Sequence, residues 1–73
     1  MAIVDVKTEI TGNIWKIEAQ VGQKLEEGDV ILILESMKME IPVSATESGE
    51  LVELLAAEGE TVTEGTVVAR IRA

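Results

Sequence analysis

The sequence predicts an all-β fold in which two antiparallel sheets pack together and close into a flattened barrel. Repetition is the first observation behind this. The six glycines fall into three pairs, Gly12 with Gly49, Gly22 with Gly59 and Gly28 with Gly65, and the members of each pair stand 37 residues apart. At the same offset Ile14 meets Leu51, Trp15 meets Val52, Ile17 meets Leu54, Leu25 meets Val62, Val30 meets Val67, Ile31 meets Val68 and Leu34 meets Ile71. Apolar falls on apolar, so the chain holds two copies of one structural unit. The second observation is that each unit contains about four short apolar or alternating runs separated by turn signals. The third is that no helix of convincing length is present, which leaves packed sheets as the way to bury both units.

The elements follow in order. Ala2 to Val6 alternates enough to form a strand, with Ile3, Val4 and Val6 apolar. Thr11-Gly12-Asn13 is a turn signal, and Ile14, Trp15 and Ile17 make the next strand, with Trp15 expected in the core and a partly exposed indole serving as a partner contact as the alternative. Val21 to Asp29 carries Gly22 and Gly28 on either side of Leu25, which reads as a loop pinned by a short strand. The unbroken apolar run Val30 to Leu34 is a strand with a buried face, and a returning strand runs through Ile41 to Val43. Pro42 has no N–H to donate and belongs on an edge or at a bulge. In the second unit, Glu50 to Glu58 has apolar residues at helical spacing, but its repeat partner, Asn13 to Val21, is rich in β-branched and aromatic residues. Both are expected to be strands. The glycines are expected to mark turns and bulges, since their spacing fits no phosphate-binding loop. The acid pairs Glu26-Glu27 and Glu58-Glu60 read as solvated loop faces.

Composition bounds what such a chain can do. Seventy-three residues, 47% of them hydrophobic with Trp15 the single aromatic, make one domain, 1–73, with an aliphatic core. With no Cys, a disulfide framework, a thiolate metal site and a cysteine nucleophile are excluded, and with no His or Tyr the acid–base set shrinks to carboxylates and lysines. A self-contained active site is not expected. Fourteen acidic against six basic residues give a formal charge of −8, a field that repels nucleic acid and anionic membranes and favours partners with basic surfaces. No stretch approaches the roughly 18 apolar residues of a membrane span or resembles a signal peptide, so a cytoplasmic location is the expectation.

One stretch breaks these rules. In Glu35-Ser36-Met37-Lys38-Met39-Glu40 two strands meet at Met37-Lys38 with no Gly at all, although a two-residue hairpin turn normally wants Asn-Gly, Asp-Gly or a Gly. Such local conflicts fall at functional positions. Met37 and Met39 cannot reach a core from so short a tip, and exposed thioethers suit an adaptable contact surface. Lys38 lies between Glu35 and Glu40, the opposite of the surroundings a catalytic base or Schiff-base lysine needs. Lys38 therefore reads as an acceptor and not as a catalyst.

At these residues the sequence resembles the biotin carboxyl carrier, or biotinyl/lipoyl attachment, domain family, and in size it is similar to small stand-alone bacterial attachment proteins. In that family the lysine between two methionines takes biotin in amide linkage. The resemblance covers essentially the whole chain and makes Lys38 the biotinyl lysine, with Met37 and Met39 as its flanking recognition residues. It implies a barrel-sandwich hybrid of eight strands in two four-stranded sheets with quasi-twofold symmetry, and no thumb-like insertion, since the two halves align without a gap. With Lys38 falling on Met1 at the repeat offset, the tip and the termini should occupy opposite ends. It further implies covalent biotin as cofactor, a biotin protein ligase, a biotin carboxylase and a carboxyltransferase as partners, and a monomeric, non-catalytic carrier. Lipoyl domains share the fold and tip but usually have Asp before the lysine and a small residue after it, so the two methionines favour biotin. A cofactor-free interaction module is the remaining alternative.

Overall fold

The computed structural model describes residues 2–73. Eight strands follow one another: β1 (Ile3–Lys7), β2 (Gly12–Ile17), β3 (Lys24–Leu25), β4 (Val30–Ser36), β5 (Met39–Ser44), β6 (Gly49–Leu54), β7 (Thr61–Val62) and β8 (Val67–Arg72). They form two four-stranded antiparallel sheets, ordered β1-β8-β6-β3 and β5-β4-β2-β7. Moving every residue by the repeat offset exchanges β1 with β5, β8 with β4, β6 with β2 and β3 with β7. One sheet order turns into the other. The predicted fold class and its internal twofold relation are therefore both present.

The core repeats in the same way. Val6 and Val43, Ile14 and Leu51, Leu25 and Val62, Ile31 and Val68, Leu32 and Ala69, and Leu34 and Ile71 are buried as pairs. The one pair that mixes chemistry is Thr8 with Ala45, both buried. Thr8 Oγ1 donates to the Thr63 carbonyl oxygen at 2.9 Å, so the hydroxyl enters the core without an unmet bond. The loops that hold β3 and β7 also match. The Gly22 N–H donates to the Leu51 carbonyl and the Gly59 N–H to the Ile14 carbonyl, each at 2.7 Å. Gly22 has φ 95° and Gly59 φ 87°, a region that costs glycine least, which lets each loop reverse and still deliver its N–H across to the opposite sheet.

Four sequence expectations need correction. Trp15 is not in the core: it is 49% exposed. Ile14 faces Leu34 and Lys16 faces Ile33, so the register shifts between them and Trp15 is the extra residue of a bulge; next to inward-facing Ile14 it points outward, and the bulge keeps Lys16 outward as well. The segment from Leu55 to Ala57 is not strand, since β6 ends at Leu54, and β2 likewise ends at Ile17 short of Val21. Gly12 and Gly49 do not serve positive-φ turns; they stand where another backbone passes close, Gly12 against Glu35 and Gly49 against Arg72. The strands at the tip also run further than their apolar runs, to Ser36 on one side and from Met39 on the other. Pro42 lies on β5, an edge strand, as its missing N–H requires.

The particle is elongated, 36 × 19 × 18 Å. Lys7, Glu9 and Ile10, at the end of β1, line a groove with Leu34 and Ile41 to Val43, so β1 starts away from the β4–β5 tip. The repeat carries the Ser36–Met39 pair onto the Ala73 N–H···O=C Ala2 bond at 2.9 Å, placing the chain ends at the tip's symmetry equivalent. Met1, the repeat partner of Lys38, lies outside the described residues.

Candidate functional site

The site is the hairpin between β4 and β5. The ladder runs through Leu34–Ile41, Glu35–Glu40 and Ser36–Met39 and leaves Met37 and Lys38 as the two turn residues. Their φ angles are 51° and 65°, both in the left-handed region, and they are the only described non-glycine residues there. Two consecutive positive φ values are what a type I′ hairpin needs, and they match the twist of the flanking strands. The sequence supplies neither Asn nor Gly, so an L side chain at each position bears a cost of roughly 1–2 kcal/mol. The sheet holds the turn in place through Leu34, fully buried, and Ile41 beside it.

The strain is local and removable. Met37→Asn with Lys38→Gly is expected to raise the unfolding free energy by about 1 kcal/mol, read in urea denaturation, while deleting the amine. A variant no more stable than the wild type would show that the tip carries no strain.

The side chains are as the sequence analysis placed them. Met37 is 92% and Met39 63% exposed, and Lys38 is exposed between them. One expectation changes: Glu35 and Glu40 face each other across the ladder, and among the described residues no ion pair involves Lys38. The ion pairs lie elsewhere. Arg70 binds Asp5 at 3.0 Å and Glu53 at 2.9 Å across the outer face of the other sheet. The hydrogen bond to Asp5, then that to Glu53, raises the guanidinium further above its ordinary value, so Arg70 stays a fixed cation. Among the described residues no group of acids is arranged to hold a metal ion. What the tip can do is present one primary amine, unobstructed and on a rigid support, to a partner that supplies both the electrophile and the base.

Sequence reasoning missed a second feature of this sheet. Trp15, Ile33 and Pro42 share its outer face, because Ile33 pairs with Lys16 on one side and Pro42 on the other, with Trp15 in the bulge next to Lys16. No glycine or proline marks that bulge. The signal that could have found it is the run Ile14-Trp15-Lys16-Ile17, in which two residues separate inward-facing positions where strict alternation allows one.

A two-sheet barrel with a lone lysine at the apex of a strained hairpin defines a class, the small attachment domains that present one side chain for modification. Comparison with known proteins agrees with that class. The family model described as "Biotin-requiring enzyme" matches residues 1–71. The chain is 44% identical over 63 residues to the Biotin/lipoyl attachment protein of Bacillus subtilis, covering 86% of both. It is 36% identical over 67 residues to the Biotinylated protein TB7.3 homolog of Mycobacterium leprae, covering 92% of this chain and 94% of that one. Among solved structures, the urea carboxylase of Kluyveromyces lactis superposes with a TM-score of 0.93 at 39% identity, over 99% of this chain but 6% of that enzyme. The chain belongs to the biotin/lipoyl attachment family.

Proposed function

We propose that this protein is a biotin carboxyl carrier: biotin in amide linkage on Lys38 moves a carboxyl group between a biotin carboxylase and a carboxyltransferase. The observation that carries this reading is the placing of Lys38 at the apex of the β4–β5 turn, with exposed Met37 and Met39 on either side. Attachment balances simply. A biotin protein ligase supplies biotinyl-adenylate, Lys38 Nζ attacks the acyl carbon, AMP leaves, and the proton from the amine passes to a base of the ligase, since the tip offers none. Biotin once attached supplies the carboxyl carriage. The barrel's own contribution is mechanical: it holds the arm's root on two paired strands and keeps it at high effective concentration near both active sites, without release to solution. In this reading the chain contributes the Lys38 amine to the attachment bond and no group to the carboxyl-transfer steps, and a single copy suffices.

Intact mass after incubation with a biotin protein ligase, biotin and ATP tests the reading, with the modified peptide mapped. One biotin, on Lys38, is the expected result; a folded protein that gains no mass overturns it. Lipoyl carriage is the second reading, favoured by the relative named Biotin/lipoyl attachment protein. Met37→Asp with Met39→Ala is expected to move acceptance from the biotin ligase toward a lipoate ligase, as seen in the ratio of the two products. An unchanged ratio would place selectivity elsewhere on the barrel.

A further inference from the structure

The two halves do the same work in the core, so their outer faces show where they differ in use. On the sheet that lacks the tip, Asp5, Arg70 and Glu53 lie in one row and are closed by two ion pairs. The repeat places Pro42, Ile33 and Lys16 in the same row of the tip's own sheet. Two of those three are apolar. Beside them Trp15 stands in the β2 bulge where the other sheet has Val52, and its indole is 49% exposed in a chain with no other aromatic residue. The row between this patch and the lysine holds Asn13, Glu35 and Glu40, all exposed.

We propose that this face is the seat of the enzyme that acylates Lys38, which takes Trp15 into an apolar socket and sets basic residues against Glu35 and Glu40. The inference rests on the carrier reading above. Continuity supports the place: Ile33 is three strand steps, about 10 Å, from the end of β4 at Ser36. A standard interface of about 800 Å² per partner, centred near the tip, covers that distance. Reach decides the occupant. The unmodified amine extends only as far as its own side chain, so the acylating enzyme must bring its active site against the tip and meets the sheet beneath it. Enzymes that use the finished arm meet it at the end of a longer tether. Charge agrees, because the chain's −8 balance and the Glu35–Glu40 pair next to the lysine call for a basic rim. A half-exposed Trp beside Ile33 and Pro42, with the polar row Asn13, Glu35 and Glu40 along one side, is also the kind of anchor that dominates interface energy.

Ligase kinetics with the folded carrier as the varied substrate test the proposal. Trp15→Ala is expected to lower kcat/KM about tenfold or more, mainly through KM, with kcat recovered at saturating carrier. Val52→Ala, the repeat-equivalent change on the other sheet, should stay within about twofold of wild type. Glu35→Lys with Glu40→Lys should also raise KM and weaken the salt dependence of the reaction. Because Trp15 is the single tryptophan, a carrier labelled with 5-fluorotryptophan gives one fluorine resonance, which should move on adding ligase. Biotinylation of wild type with Trp15→Ala equally efficient overturns the surface and leaves the carrier reading standing. Should Trp15→Ala fail to fold, a resonance unmoved at saturating ligase overturns it instead. Wild type that takes no biotin defeats the carrier reading, and the surface with it.

Discussion

Lys38→Arg is expected to gain no mass in a ligase reaction that fully biotinylates the wild-type chain, and to melt within a few degrees of it. The loss is total because acylation needs a free amine lone pair, and a guanidinium does not give up its proton in a protein. The fold survives because the position is exposed, pairs with no carboxylate among the described residues, and asks of Arg the same φ of 65° that it asks of Lys. The other lysines cannot substitute. Lys7 and Lys24 lie within β1 and β3, and Lys16 lies within β2, where its ammonium meets Glu18 at 3.5 Å. None is at a turn apex between methionines, so none can be inserted into an active site without the barrel following it. Biotin found on Lys7, Lys16 or Lys24 in the variant would show that the ligase reads accessibility alone, and the apex geometry would lose its role.

Much of this was legible in the sequence because the molecule states its plan twice. Each core position was marked by an apolar partner at the repeat offset, and only Thr8 opposite Ala45 departs from it. The tip was legible because it breaks turn chemistry: a hairpin without Gly between two methionines is costly to hold, and the structure bears out the cost in two positive φ angles. Trp15 was misplaced for the opposite reason. Its size and apolar character alone assigned it to the core, and the bulge that sets Trp15 and Lys16 both outside between Ile14 and Ile17 leaves no compositional mark. The end of β6 was overextended because Leu55 and Ala56 are apolar enough to continue a strand, although the strand itself ends at Leu54 and the bond from the Leu55 N–H to the Val68 carbonyl follows as one further rung to β8. For Gly12 and Gly49 the residue type was informative but the reason was not, since a sequence does not say whether a glycine is there for its dihedral or for want of a Cβ.

That distinction has a large measurable consequence. Gly49→Ala is expected to be among the most damaging single substitutions in the chain. A Cβ at Gly49 would overlap the Arg72 carbonyl oxygen, stand 2.9 Å from its carbon and 2.7 Å from Ile71 Cγ2. Fraying the end of β8 is no escape, because Ile71 is fully buried and would be pulled from the core with Arg72. Overpacking of this kind, against backbone on one side and core on the other, costs roughly 3 kcal/mol or more. A chain this short has a total stability of roughly 4–11 kcal/mol, so the urea midpoint should fall by about a quarter or more. Gly12→Ala is the milder partner: its Cβ would stand 2.7 Å from the Glu35 carbonyl oxygen, with the next atoms at 3.4 Å. Gly22→Ala meets no atom within 4 Å and bears only the left-handed backbone at φ 95°, about 1–2 kcal/mol. Three alanines thus separate two physical causes. Midpoints falling in the order Gly22, Gly12, Gly49, from least to most damaged, mean that close approach governs the pair. Gly22→Ala proving the worst would mean that backbone conformation, not the missing Cβ, is what these glycines supply. Gly12→Ala adds a functional reading, because the atoms it pushes belong to Glu35 and Ser36, the strand end that carries Lys38. Its ligase kcat/KM should therefore fall under conditions where it is still folded, while a Gly22→Ala protein, strained far from the tip, is biotinylated like wild type.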